Sequence, residues 1–167
     1  MSWNVRGLGS PVKRLAVTRT IKRLGADVVC LQETHFSPTS TPQFVARQFC
    51  HQYHATGSVY SRGVSILIKR DTQFSPLDVK TDPEGRFVFI LCSLYGTKCI
   101  LAGLYIPPPY SSSLLKVLAD YVAKYPGVPA MVLGDFNNYL DYTKDKLISR
   151  LTGLGGGLQA LLPLPAI

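Results

Sequence analysis

Short apolar blocks recur along the chain, and turn-forming or polar residues interrupt them at intervals that fit strands and helices in alternation. Met1-Ser2-Trp3-Asn4-Val5 reads as the end of a short strand running into a Gly7-Leu8-Gly9 turn. Ser10-Pro11 supplies a cap and a first-turn proline, so a helix is expected next, with Leu15, Ile21 and Leu24 on its apolar side and Gly25 as its stop. Val28 to Leu31 is an apolar run of strand length, and it ends abruptly in Gln32-Glu33-Thr34-His35. A second helix is predicted from Thr41-Pro42 to about Cys50.

The middle of the chain is rich in β-branched and aromatic residues. Gly63 to Lys69, Phe74 to Thr81, Arg86 to Leu94 and Lys98 to Tyr105 read as strands, separated by Asp82-Pro83-Glu84-Gly85 and Gly96-Thr97 turns. Pro107 to Pro109 stops the last of them, and Ser111 to Ser113 opens a helix running to about Tyr125. Pro129 to Leu133 is a further buried strand, closed by Gly134-Asp135-Phe136-Asn137-Asn138. A helix is expected over Thr143 to Leu151, and Gly155-Gly156-Gly157 and the proline-containing end read as a flexible tail. Strands and helices alternate at both ends around a run of consecutive strands, which favours a layered α/β fold with mixed sheets.

Composition narrows the class. At 167 residues, with 46% hydrophobic and 17% charged, the chain suits one folded domain and is not disordered. No apolar run reaches the roughly 18 residues of a membrane span, and no charged-then-apolar leader is visible, so a soluble intracellular protein of nucleus or cytoplasm is expected. The formal net charge of +8 points to polyanionic partners, nucleic acid before membrane. Cys30, Cys50, Cys92 and Cys99 form no metal-binding spacing and read as free thiols of a reducing compartment.

Candidate chemistry sits at strand ends. Asn4, Glu33, Tyr105 and the Asp135/Asn137 pair each directly follow an apolar strand, where mixed and parallel sheets gather polar groups on one rim. Carboxylates without a Cys/His cluster suit a hard cation such as Mg²⁺, with one carboxylate holding metal and another orienting a water. Each segment is also good turn chemistry in its own right, Gly134 to Asn137 above all.

Together these segments resemble a known family. Ser2-Trp3-Asn4-Val5-Arg6-Gly7-Leu8, Leu31-Gln32-Glu33-Thr34-His35, Leu104-Tyr105-Ile106-Pro107 and Leu133-Gly134-Asp135-Phe136-Asn137 stand in the order of the endonuclease/exonuclease/phosphatase superfamily. Arg62-Gly63-Val64-Ser65-Ile66-Leu67-Ile68 resembles the matching strand of the apurinic-like endonuclease domains of LINE-type (non-LTR) retrotransposons. The resemblance runs from Ser2 to about Leu151. It implies a DNase I-like, four-layered α/β sandwich of two mixed sheets flanked by helices, hydrolysing phosphodiester bonds of DNA with Mg²⁺ or Mn²⁺. By motif position it makes Glu33 the metal ligand with Asn4 beside it, Tyr105 a contact to the scissile phosphate, Asp135 the residue that orients or activates water, and Asn137 a phosphate-binding group. It also implies a reverse transcriptase in the parent element.

One departure shapes the expectation. The family continues into further strands ending in a Ser-Asp-His motif, whose histidine contacts the phosphate. The histidines here are His35, His51 and His54, and no Asp-His pair occurs. Residues 1–151 are therefore expected to form a partial domain without its last strands, followed by a tail over 152–167, with impaired activity. Competing readings are a non-catalytic nucleic-acid-binding remnant, and a phosphomonoesterase or phospholipid phosphodiesterase of the same superfamily. His35, two residues past Glu33, reads as structure. Lys13, Arg14, Arg19, Lys22 and Arg23 read as a solvated helix face, and Arg6, Arg62 and Lys98 are candidates for nucleic-acid backbone contacts.

Overall fold

A computed structural model describes residues 1–39, 48–109 and 111–137 together with the backbone of 159–161. Its elements are β1 (Ser2–Asn4), α1 (Pro11–Leu24), β2 (Val28–Gln32), β3 (Phe49–Ala55), β4 (Val64–Lys69), β5 (Phe74–Thr81), β6 (Phe87–Leu94), β7 (Thr97–Tyr105), α2 (Ser113–Val122), β8 (Ala130–Asp135) and β9 (Gln159–Leu161). They build two mixed sheets, ordered β1-β2-β4-β3 and β5-β6-β7-β8-β9. The pairs β1/β2, β7/β8 and β8/β9 are parallel, and the remaining neighbours are antiparallel.

Strand alternation explains why the central strands are apolar on both faces. Along β2 and β4, Val29, Leu31 and Leu67 turn outward to meet Val17 and Ile21 of α1. Cys30, Val64, Ile66 and Ile68 turn inward and meet Val88, Ile90, Cys92, Leu101 and Leu133 of the second sheet. The opposite faces of β6, β7 and β8 carry Phe87, Phe89, Leu91, Ile100, Ala102, Leu104 and Val132 against Leu114, Leu115, Leu118 and Tyr121 of α2. The order is helix, sheet, sheet, helix: the four-layered α/β sandwich that the sequence predicts. The sheets approach closely at Gly103, where a Cβ would lie 2.8 Å from the Cys30 sulfur and 3.2 Å from Ile66.

Three local expectations change. The helix expected up to Cys50 gives way at Phe49 and Cys50 to β3, which pairs antiparallel with β4; the start of that helix, at 41–47, lies outside the described residues. On α1, Leu15 and Leu24 are each 50% exposed, and the buried side is Val17, Thr18 and Ile21. Two of its basic residues also have structural jobs: Lys13 donates to the Arg6 carbonyl at 2.9 Å, and Arg14 donates to Leu8 and Gly9 carbonyls at 2.8 Å. Finally, Gln159–Leu161 pairs with Met131–Leu133, so the second sheet draws a strand from the segment read as tail. The expected helix at 143–151 and the glycines at 155–157 lie outside the described residues.

His54 of β3 gives the fold a pH dependence. Its Nδ1 lies 2.7 Å from the Ser65 hydroxyl, and its ring packs edge-on to Phe36. Burial lowers its pKa from 6.5 to about 4. Between these two values the unfolded chain binds a proton that the folded chain refuses. Stability from this group is therefore complete above pH 6.5 and falls as the pH drops towards 4, by up to about 1.4 kcal/mol per pH unit. Urea denaturation across this range should show that slope, and His54→Gln should flatten it.

Candidate active site

The site is assembled from the C-terminal ends of strands in both sheets. Asn4 ends β1, Glu33 follows β2, Tyr105 ends β7 and Asp135 ends β8. Two parallel pairs, β1/β2 and β7/β8, bring those ends level: Asn4 is in register with Gln32, and Tyr105 with Asp135. The Asn4 amide closes the gap between the sheets. Its Nδ2 donates to Glu33 Oε1 at 2.8 Å and to Asp135 Oδ2 at 2.7 Å. A neutral donor thus holds two carboxylates side by side and offsets their repulsion.

Backbone hydrogen bonds extend the strand register into the loops that carry these groups. Val5 N–H donates to the Gln32 carbonyl at 2.9 Å, and Gly7 N–H to the Glu33 carbonyl at 2.6 Å. Thr34 and His35 N–H donate to the Gly63 and Arg62 carbonyls at 3.1 and 3.0 Å. Tyr105 N–H reaches the Arg86 carbonyl at 2.7 Å, and Ile106 N–H the Asp135 carbonyl at 2.9 Å. The neighbouring Asp82–Arg86 turn is itself fixed, because Asp82 accepts from Arg86 Nε at 2.7 Å and from Nη2 at 3.1 Å. Burial works against the Asp82 carboxylate, yet the Arg86 hydrogen bonds outweigh it and hold its pKa below the usual range.

The rim concentrates left-handed backbone. Arg6, Glu33, His35, Arg62 and Asn137 have φ of 46°, 53°, 55°, 64° and 46°. Such conformations at non-glycine residues persist only where surrounding contacts over-determine them, and they gather at functional sites.

Tyr105 reports the electrostatics. Burial, then a hydrogen bond with Glu33, then the charges of Glu33 and Asp135 push its hydroxyl up to about 12, against a smaller opposing hydrogen bond with Asn137. It stays protonated at neutral pH, and its one O–H donates to the Glu33 carboxylate. Asn137 is held by its own N–H to Asp135 Oδ1 at 3.0 Å, by its Nδ2 to the Ile106 carbonyl at 3.0 Å, and by the hydrogen bond it donates to Tyr105.

All of Asn4, Glu33, Tyr105, Asp135 and Asn137 therefore meet at one place. Arg6 and Arg62 border it: the Arg6 N–H donates to Asn4 Oδ1 at 3.0 Å, and Arg62 pairs with Glu84 at 2.7 Å. Lys98 does not. It sits exposed at the start of β7, seven residues and roughly 20 Å along the strand from Tyr105.

One residue here escaped sequence reasoning. His35 lies with Nε2 3.6 Å from Glu33 Oε2, on the site side. Residues two apart share one face of an extended chain, and although β2 stops at Gln32 the left-handed turns at Glu33 and His35 keep the two side chains together. The Glu-Thr-His spacing was the signal.

The donor set fits a divalent cation of the Mg²⁺ class. The groups are carboxylate, amide and phenol oxygens, Glu33 has no lysine or arginine ion pair among the described residues, and Mg²⁺ needs only one or two carboxylates with water completing its shell. Among the described residues no group of three or more His, Cys, Asp or Glu side chains is placed to hold a metal ion, so a cation at Glu33 would take water and substrate oxygens to complete its shell.

Residues 1–161 match the Endonuclease/Exonuclease/phosphatase family. The chain belongs to it. Solved structures agree on the fold of this family member. An AP endonuclease from Archaeoglobus fulgidus matches with a TM-score of 0.59 and 21% identity, over 81% of this chain and 56% of that one. A truncated Caenorhabditis elegans TDP2 matches with a TM-score of 0.56 and 19% identity, over 82% and 61%. The human Nocturnin catalytic domain, solved with bound sulfate anion, matches with a TM-score of 0.64 and 14% identity, over 90% and 66%. The chain thus spans between 56% and 66% of the length of these proteins. No helix among the described residues is long and apolar enough to cross a membrane.

Proposed function

We propose that the chain is a DNA phosphodiesterase of the retrotransposon endonuclease type, working with Mg²⁺ or Mn²⁺. The observation that carries this reading is the Asn4 amide bridging Glu33 and Asp135 across the two sheets, with the Tyr105 hydroxyl and Asn137 beside them. Glu33 would hold the cation with Asn4 at its side. The cation would supply charge for the phosphate as negative charge builds on it.

The remaining groups divide the work. Asp135, oriented by Asn4, accepts a proton from a water aimed at phosphorus. Tyr105, kept protonated by burial and by the two carboxylates, would turn its hydroxyl from Glu33 to a non-bridging phosphate oxygen. Asn137 would turn the amide N–H it gives Tyr105 to another. No covalent intermediate is required. The +8 net charge and the rim position of Arg6 and Arg62 favour a nucleic-acid backbone as substrate. The Arg62–Ile68 strand supports the LINE type, and with it a reverse transcriptase as the natural companion.

The histidine that the family resemblance implies is not among residues 1–167, whose histidines are His35, His51 and His54. Residues 1–167 alone should therefore bind duplex DNA with a steep salt dependence and nick it slowly. Incubation with supercoiled plasmid and Mg²⁺, with and without a chelator, tests both parts. Slow nicking that stops with chelator is expected. Binding without any metal-dependent nicking selects the non-catalytic remnant, and hydrolysis of a phosphomonoester or phospholipid in place of DNA selects the other branch of the superfamily.

A further inference from the structure

Away from the rim, the second sheet holds two thiols in direct register. Cys92 of β6 lies opposite Cys99 of β7, and their sulfurs are 3.8 Å apart. Opposed residues of antiparallel strands keep their Cα atoms about 4.5–5.5 Å apart, inside the roughly 4.4–6.8 Å range of disulfides. Bond formation therefore needs side-chain rotation and no backbone movement.

The two sulfurs differ in access. Pairing of β7 with β8 begins at Ile100, so Cys99 has a strand neighbour on one side only and is half-buried. Cys92 is buried, flanked by Pro76 of β5 on its other side. We propose that Cys92 and Cys99 form a modification site that takes a peroxide and closes to a reversible cross-strand disulfide. Cys99 is the attacking thiol and Cys92 the resolving one.

The chemistry balances in two steps. The Cys99 thiolate attacks one peroxide oxygen; an S–O bond forms, the O–O bond breaks and hydroxide leaves, giving a sulfenic acid. The Cys92 sulfur then attacks the Cys99 sulfur. An S–S bond forms, the S–O bond breaks, and water departs with the Cys92 proton. Two electrons pass from the thiol pair to the peroxide, and a dithiol reductant returns them. A hydrogen bond from Cys92 lowers the Cys99 pKa, which favours this order of attack.

The site stands apart from the candidate active site: Cys99 is six residues before Tyr105, roughly 20 Å along the strand. Its test is therefore independent of any hydrolytic activity. The reduced chain of residues 1–167 is treated with hydrogen peroxide, quenched with excess N-ethylmaleimide and digested with trypsin without reductant. Trypsin cuts after Arg86, Lys98 and Lys116, so the bridge should appear as Phe87–Lys98 linked to Cys99–Lys116. The intact mass should fall by about 2 Da and recover with dithiothreitol. Cys92→Ser should leave Cys99 as a dimedone-reactive sulfenic acid, and Cys50, exposed on β3, serves as the unpaired control. Equal alkylation of Cys92 and Cys99 with and without peroxide would overturn the proposal. So would a Cys99–Cys50 link between copies, or Cys99 passing to sulfinic acid in the unsubstituted chain. These readouts come from the unsubstituted protein, so they hold even if a variant fails to fold.

Discussion

Glu33→Gln should lower Mg²⁺-dependent nicking by about 100-fold or more while leaving the fold intact or slightly more stable. Both halves follow from the same geometry. The Glu33 carboxylate sits just past β2, about one-fifth exposed, with Asn4 donating at 2.8 Å and no lysine or arginine paired with it among the described residues. Glutamine keeps the volume and the acceptor for Asn4, and removes the charge that would hold the cation. It also removes the repulsion between Glu33 and Asp135, which share the single Asn4 Nδ2 donor. Like charges at this spacing repel by roughly 3 kcal/mol near a surface before the Asn4 donor offsets them, and relieving them should raise the thermal midpoint by a few degrees. Metal-dependent nicking and thermal denaturation are read on the same preparation. Unchanged nicking would remove Glu33 from the chemistry, and a large drop in midpoint would make it a structural residue.

Asp135→Asn supplies the contrast. It also relieves the repulsion, yet it preserves the Glu33 carboxylate. If Asp135 acts as base, nicking falls while Mg²⁺ still raises the thermal midpoint. If Asp135 is a second metal ligand, both effects disappear together.

The sequence carried the central strands and the rim because each is announced locally. Val28–Leu31 and Gly63–Lys69 are β-branched runs with a sharp polar end, and burial on both faces needs only that pattern. Asn4, Glu33, Tyr105 and Asp135 inherit their position from those ends, so identifying the strands nearly located the site. Strand β3 had no such signal. Its Phe-Cys-His-Gln-Tyr-His-Ala run has polar residues on both faces, and what makes it a strand is pairing with β4, a tertiary fact. Leu15 and Leu24 misled for the opposite reason, since a helix packed mainly through Val17 and Ile21 leaves them half-exposed. The Cys92–Cys99 pair depends on register across the hairpin, which spacing alone leaves open. His35 was passed over although its spacing from Glu33 puts the two on one side of an extended chain.

Gly63 is where fold and site are hardest to separate, and Gly63→Ala should destabilise the chain by roughly 2–4 kcal/mol. It immediately precedes β4 with φ +98°, and a Cβ there would run into Thr34 Oγ1 and lie 3.2 Å from the His35 nitrogen. Its carbonyl accepts from Thr34 N–H at 3.1 Å, and its own N–H donates to the Gly85 carbonyl at 2.9 Å. A methyl group therefore presses on the one segment, Glu33-Thr34-His35, that carries the proposed metal ligand. Activity should fall further than the loss of folded protein accounts for. The two contributions, steric contact and backbone strain, separate in a double-mutant cycle with Thr34→Ala. Thr34 Oγ1 is buried with no hydrogen-bond partner among the described residues, so its removal alone costs little. If contact dominates, Gly63→Ala/Thr34→Ala regains 1–2 kcal/mol or so of the loss and part of the nicking. Strict additivity would place the whole cost in the φ of residue 63, and would mean that Glu33 is positioned by the β1 and β2 ladder without help from β4.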